Sequence, residues 1–311
     1  MPDFPRQVPD SLIGIADPII SILGPLVPAA DAEQVRSALS QLDVLSVRAL
    51  GLEVVLPPHP PACDLSVLLP PRTVPPFAQA GDSVLASLAR SAPATHTTWW
   101  ELDTSAQPRS VGAFIRSTGT DGRALMHQVC AKDPALSRAE RILADLIEPY
   151  WEGEGRLIGF FPRREPAPIA AALLPTSHEM GADIVDALSS QVTATVDRGS
   201  ELVMHLTGHL DGCGVAVAAD AEGRTAVSWE GSFAEREKAM AQDRWAPALQ
   251  PLPVWGEAMH SLPSLLGVQG FHTFDSLPTI RLLSGIDHIK VGPGGKVKAY
   301  VGAHILLPGQ R

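Results

Sequence analysis

The sequence predicts an α+β fold: an antiparallel β-barrel of about ten strands from repeated strand–strand–helix units, with the helices outside. Three observations predict it. Five regions read as two strands around a turn, helical periodicity fills the gaps between them, and the units recur about every 50 residues.

An initial helix is expected near 31–42, "DAEQVRSALSQL", closing a helical lead-in over residues 1–42. The first paired region is "VLSVRALGLEVVLPPHPPACDLSVLLPP" (44–71), followed by "GDSVLASLARS" (81–91), with Val84, Leu85 and Leu88 at helical spacing. The second pair is "TTWWELDTSAQPRSVGAFIRS" (97–117). Then "ALSRAERILADLIEPYW" (135–151) sets Ala139, Ile142, Leu143, Leu146 and Ile147 on one helical face. The third pair, "GRLIGFFPRREPAPIAAALLP" (155–175), precedes a helix over 178–192. The fourth is "ELVMHLTGHLDGCGVAVAADAEGRTAVSWEG" (201–231), followed by a helix over 232–245 behind a Ser N-cap. The fifth is "DHIKVGPGGKVKAYVGAHILL" (287–307). Each pair shows β-branched or aromatic alternation, and each turn carries Gly, Pro, Asp or Gln-Pro chemistry. Closing such ribbons removes the sheet edges and accounts for bulky residues on both strand faces. An open sheet covered on one face is the alternative. The chain reads as one barrel domain over 1–311.

Composition removes several function classes. The chain is 45% hydrophobic and 19% charged, enough for a large core. Its net charge is −10 and no basic run occurs, which argues against a nucleic-acid partner. Cys63, Cys130 and Cys213 are widely spaced, with neither a disulfide framework nor zinc-ligand spacing, so a reducing cytoplasm fits. Asp17 and Pro18 split the N-terminal apolar run, against a signal peptide, and no stretch of about 18 apolar residues suggests a membrane span. No dinucleotide fingerprint or nucleophile elbow is present, and "GPGG" (292–295) reads as a hairpin turn. No cofactor is implied.

Strand alternation selects the candidate site. Thr97, Trp99, Glu101 and Asp103 share one face, and Thr98, Trp100 and Leu102 the other. The apolar set should meet the helices, leaving Glu101 in the lumen beside Trp99. In the return strand Gly112, Phe114 and Arg116 take the same side. Lys296, Lys298, Tyr300, Gly302 and His304 alternate with Val297, Ala299, Val301, Ala303 and Ile305, and His288 and Lys290 line up across the turn. His205 and His209 share a face with Val203 and Thr207 if that segment is a strand. The expected lumen is cationic, with one aromatic-flanked carboxylate. Any one mixed face taken alone is also what solvated sheet looks like. His205 and His209 lack a third ligand nearby, so no metal site is expected.

Repeated strand pairs with outer helices resemble the barrel of aromatic prenyltransferases of the dimethylallyltryptophan synthase type. "THTTWWELDTS" is similar to that family's His-Thr-Pro-x-Glu strand, placing the family's histidine and indole-holding glutamate on His96 and Glu101, one residue further apart. "KVKAYVG" resembles its Lys-x-Tyr strand, and the resemblance implies a diphosphate cage of Arg116, Lys290, Lys298 and Tyr300. The third and fourth units, "IAAALLP" and "GVAVAAD", lack the lysine–tyrosine ladder, and the chain has two tyrosines in all. A second resemblance is to bacterial Pictet–Spengler enzymes that form β-carbolines from tryptophan. It implies a homodimer and a glutamate acid–base assisted by an arginine and a histidine, which Arg72 and His96 match in order.

The leading expectation is condensation of L-tryptophan or a related indole with an aldehyde or α-keto acid. Glu101 and His96 are the catalytic candidates. Arg72, Trp99, Arg116, His205, His209, His288, Lys290, Lys298, Tyr300 and His304 are the substrate-binding candidates. Packing on Trp99 should desolvate Glu101 and raise its pKa towards the working range. Indole prenylation by dimethylallyl diphosphate is the alternative, and a noncatalytic binder of an aromatic metabolite is a third.

Overall fold

The computed structural model describes residues 11–79, 83–91, 98–104, 110–117, 121–151, 156–233, 244–252, 270–274 and 277–306. Two helices lead in: α1 (Leu12–Leu23), capped by Ser11, and α2 (Ala29–Leu39). Strands β1 (Ala49–Val55) and β2 (Cys63–Leu69) follow, then the short α3 (Pro76–Gln79) and α4 (Ser83–Ser91). Next come β3 (Thr98–Asp103), β4 (Ser110–Ser117), α5 (Asp121–Cys130) and α6 (Pro134–Ile147). The third unit is β5 (Arg156–Phe161), β6 (Ile169–Thr176) and α7 (His178–Ser189). After the two-residue β7 (Ala194–Thr195), α8 (Glu201–His209) precedes β8 (Gly212–Asp220) and β9 (Thr225–Ser232). The described chain ends with β10 (Gly270–Phe274), β11 (Leu277–Val291) and β12 (Val297–Leu306).

Ten of these strands close into an antiparallel barrel. The order runs β11-β12-β1-β2-β3-β4-β5-β6-β8-β9, and β9 pairs back onto β11. Among the described strands the ring leaves β10 and β7 outside it and pairs the long edges of the rest. Helices α1, α2, α5, α6 and α7 pack on the outer surface. Their amphipathic faces meet the outward set of each strand: Leu50, Leu52 and Val54; Trp100 and Leu102; Ala170 and Ala172; Val215 and Val217; Ala299 and Val301. These side chains are fully or almost fully buried and form one continuous core.

The inward set behaves differently. Along β6 and β8, Ala171, Leu173, Ala216 and Ala218 are half-buried, although each sits between buried neighbours. Helices cover the outside of these strands, so the exposed alternate face lines a hollow. Two glycines shape one wall of it. A Cβ on Gly112 would lie 2.1 Å from the Phe161 ring, and one on Gly159 would lie 2.4 Å from the Phe114 ring. Each ring therefore lies across a bare backbone on the neighbouring strand, and the two rings meet edge to face at 5.4 Å.

One predicted strand is a helix. Residues 201–209 form α8, because the Ser200 hydroxyl caps the Val203 N–H and Val203, Leu206 and Leu210 bury one side at helical spacing. The fourth pair begins at Gly212 instead. The helix expected over 232–245 falls almost wholly outside the described residues, and β9 runs through Ser232. No described helix is long and apolar enough to cross a membrane.

Candidate active site

The lumen is asymmetric. Phe114, Leu157, Phe161, Ala171, Leu173 and Ala216 give β4, β5, β6 and β8 an apolar lining. The opposite wall, from β11 through β12, β1, β2 and β3, carries the charge. Glu101 is 6% exposed and lies opposite Ser66 of β2 and Gly112 of β4. It makes no hydrogen bond or ion pair among the described residues. Trp99 and Asp103 sit one pleat away on either side, with Trp99 edge-on to the His304 ring at 6.5 Å.

Carboxylates crowd this wall. Glu53 of β1 stands opposite Asp64 of β2 on one side and Tyr300 of β12 on the other. Burial pushes Glu53 up, but the charge and hydrogen bond of Lys298, with a hydrogen bond from Tyr300, outweigh it and hold the carboxyl at about 2. Asp64 has no such cation. Burial, then repulsion from Glu53, Glu101 and Asp103, pushes it up to about 8, while its Oδ1 accepts the Thr104 N–H at 3.1 Å. Glu101 rises to about 7, chiefly through burial and then through Glu53, with Arg164, Lys298 and Lys290 pulling the other way. Asp103 meets Arg164 at 3.1 Å.

A second cluster completes the wall. Lys290 reaches Glu230 at 3.0 Å across the β9–β11 junction. His288 lies 3.8 Å from Glu230 and 2.9 Å from Asp287, and stacks on the Tyr300 ring at 3.8 Å between centroids. His304 approaches Asp287 at 3.6 Å. Among the described residues no group of three or more His, Cys, Asp or Glu side chains has the arrangement to hold a metal ion.

Alternation therefore brings Trp99, Glu101, His288, Lys290, Lys298, Tyr300 and His304 to one lumen. Arg116 occupies an inward register position on β4, and its side chain lies outside the description. His96 lies outside the described residues. Arg72 is exposed in the turn after β2, at φ 64°. His205 and His209 do not line the lumen as expected: they are one turn apart on α8, their rings 4.4 Å apart, and His205 Nε2 bonds the Pro247 carbonyl at 2.9 Å. The expectation of a cationic interior with a single carboxylate is also overturned. Glu53, Asp64, Asp103, Glu230 and Asp287 share the space, and Lys290 and Lys298 lie against carboxylates. The same alternation rule exposes three of these: Glu53 in "LGLEVV", Asp64 in "CDLSVLL" and Glu230 in "VSWEGS". Arg164, which reaches in from the β5–β6 turn, follows no strand pattern.

No family model matches the chain, and no curated protein matches it by sequence. Solved structures do share its fold. The 5-dimethylallyltryptophan synthase from Streptomyces coelicolor superposes with a TM-score of 0.51 at 12% identity, over 91% of this chain and 93% of that one. The prenyltransferase PriB gives 0.53 at 14%, over 93% and 95%. AnaPT from Neosartorya fischeri gives 0.52 at 10%, over 84% and 79%. At these identities the likeness is one of fold: the chain has the ten-stranded barrel architecture of aromatic prenyltransferases.

Proposed function

We propose that the chain is an enzyme that uses its lumen to condense an indole-bearing amine, L-tryptophan or a relative, with an aldehyde or α-keto acid in a Pictet–Spengler reaction. The observation that carries this is Glu101: an enclosed carboxyl beside Trp99, without a protein hydrogen-bond partner among the described residues, and raised to about 7. The amine nitrogen adds to the carbonyl carbon, and water leaves to give an iminium. Indole C2 attacks that carbon, forming the carbon–carbon bond, and Glu101 takes the proton from C2 as aromaticity returns. A carboxyl near neutrality supplies both the acid needed for loss of water and the base needed afterwards. A carboxylate-rich wall favours the iminium cation over its neutral precursors.

Prenyl transfer is the second reading, and the fold favours it. One PriB structure of this architecture is a ternary complex with L-tryptophan and dimethylallyl thiolodiphosphate. On that reading Glu101 anchors the indole, while Arg116, Lys290, Lys298 and Tyr300 face the diphosphate. Against it, Lys290 and Lys298 already lie against Glu230 and Glu53, so an entering diphosphate would displace carboxylates that cannot leave the wall.

The two readings separate in one assay. Purified protein is incubated with tryptophan or tryptamine and a panel of aldehydes and α-keto acids, and separately with dimethylallyl diphosphate. Mass-detected tetrahydro-β-carboline supports condensation. Prenylated indole with no carboline reverses the assignment. The same proposal takes the chain as one cytoplasmic domain that forms a homodimer, which light scattering on the eluting protein would measure.

A further inference from the structure

The lumen's charge pairing bears on which amine it takes. Lys298 is held by Glu53, Lys290 by Glu230 and Arg164 by Asp103, while His288 and His304 face Glu230 and Asp287. Lys290, Lys298 and Arg164 are thus already engaged by protein carboxylates, whereas Lys296 at the rim has no ion pair among the described residues. The carboxyls left without an ion pair among the described residues are Asp64 and Glu101, diagonal neighbours one pleat apart on β2 and β3 and each at least nine-tenths buried. Beside Glu101 on the same face lies Trp99, with Phe114 opposite Trp99 on β4 and the Phe161 ring over Gly112, the residue opposite Glu101.

We infer that the site selects an arylalkyl ammonium ion that carries no carboxylate of its own, its nitrogen against Asp64 and Glu101 and its ring against the aromatic wall. This rests on the lumen being the substrate site, and it narrows the proposed amine from an amino acid to its decarboxylated counterpart. An ammonium ion supplies the donors that Glu101 lacks, and the Trp99 face adds a cation–π contact. An amino acid would bring its own carboxylate among six others, with Lys290, Lys298 and Arg164 already engaged. Lys296, exposed at the rim of the same face beyond Lys298, is held below its usual pKa by partial burial and then by Lys298, and its charge also reaches Glu53, Arg164 and Asp64.

Seating the ammonium ion displaces protons. Asp64 and Glu101 face Glu53 from β1, Asp103 from β3, Lys298 and Tyr300 from β12, Lys296 from just ahead of β12, Lys290 from β11 and Arg164 from the β5–β6 turn. Burial first, and then the facing carboxylates, leave the two carboxyls partly protonated near neutrality against the pull of these cations. The cation binds the deprotonated pair, so its affinity should climb as pH rises from about 6 to 8.

The test is calorimetry on the full chain with tryptamine, L-tryptophan and indole-3-propionate, at low salt and at several pH values. Tryptamine should bind about ten-fold or more tighter than L-tryptophan, with indole-3-propionate weaker still, and should release protons on binding. Asp64→Asn combined with Glu101→Gln should erase both the preference and the proton release. If that double variant is misfolded by circular dichroism, Asp64→Asn alone should reduce both. L-tryptophan binding tightest, or a tryptamine preference that survives these substitutions, overturns the inference. The readout is binding, so a missing carboline product would count against the condensation and leave this selectivity standing.

Discussion

Glu101 and Lys298 show how single residues set the character of the lumen. Glu101→Gln keeps the shape of the side chain and removes its proton transfer. Turnover should fall by about 10²–10⁴-fold with substrate affinity altered far less, measured as kcat against KM. Near-equal turnover in that variant would remove Glu101 from the chemistry. Lys298→Met tests the other half of the wall, since it leaves Glu53 buried without its cation. Breaking one side of such a pair should cost about 3–5 kcal/mol by urea unfolding. Lys298→Met with Glu53→Gln should recover much of that loss. Asp64 and Glu101 also give stability a pH dependence. Their folded pKa values lie above those of free carboxyls, so the folded state binds more protons between about pH 4 and pH 8. That contribution is fully present at the acid end of the window and lost as pH rises through about 7 and 8. Denaturant midpoints should therefore fall across this range, and Asp64→Asn should flatten the slope.

At the scale of elements, the β4–β5 ribbon works as a unit because two bare backbones receive two rings. Gly112→Ala would drive a methyl group into Phe161, whose own face is taken by Phe114 and by Arg164, 5.0 Å from the ring centroid. The expected cost is about 1–3 kcal/mol, with a change in near-ultraviolet circular dichroism as the aromatic wall shifts. An unchanged melt would mean that the wall yields freely. The legibility of elements follows the same logic of local pattern. The strands around Trp99, Phe160 and Tyr300 announce themselves by period-two alternation, because one face meets helices and the other the hollow. The segment at 201–209 misleads because Val203, His205, Thr207 and His209 alternate as a strand would, while Val203, Leu206 and Leu210 also satisfy a helix. The Ser200 cap decides between them, and it lies just ahead of the ambiguous run.

Over the whole molecule, the barrel depends on where the ring is joined. Strands β9 and β11 meet over four residue pairs, against five to ten in the other barrel ladders. The Lys290–Glu230 ion pair sits directly across that junction. Glu230→Gln should therefore raise deuterium uptake in peptides covering 229–232 and 288–291, with little change over 63–69. A uniform rise along the chain would argue that the junction opens only with global unfolding.

Local pattern in the sequence was enough to determine four of the five strand pairs, the inward side of the second and the fifth, and the presence of an acid next to Trp99. All of these follow from a two-residue period that any strand imposes on its own neighbours. Only the tertiary structure decided which charges meet. Glu53 is 245 residues from Lys298 and Glu230 is 58 or more from Lys290 and His288, and ring closure alone makes them neighbours. That closure turned an expected cationic pocket into one where acids neutralise the lysines and leave Asp64 and Glu101 facing the hollow. Charge pairing depends on distance through space, and no periodicity along a chain carries that distance.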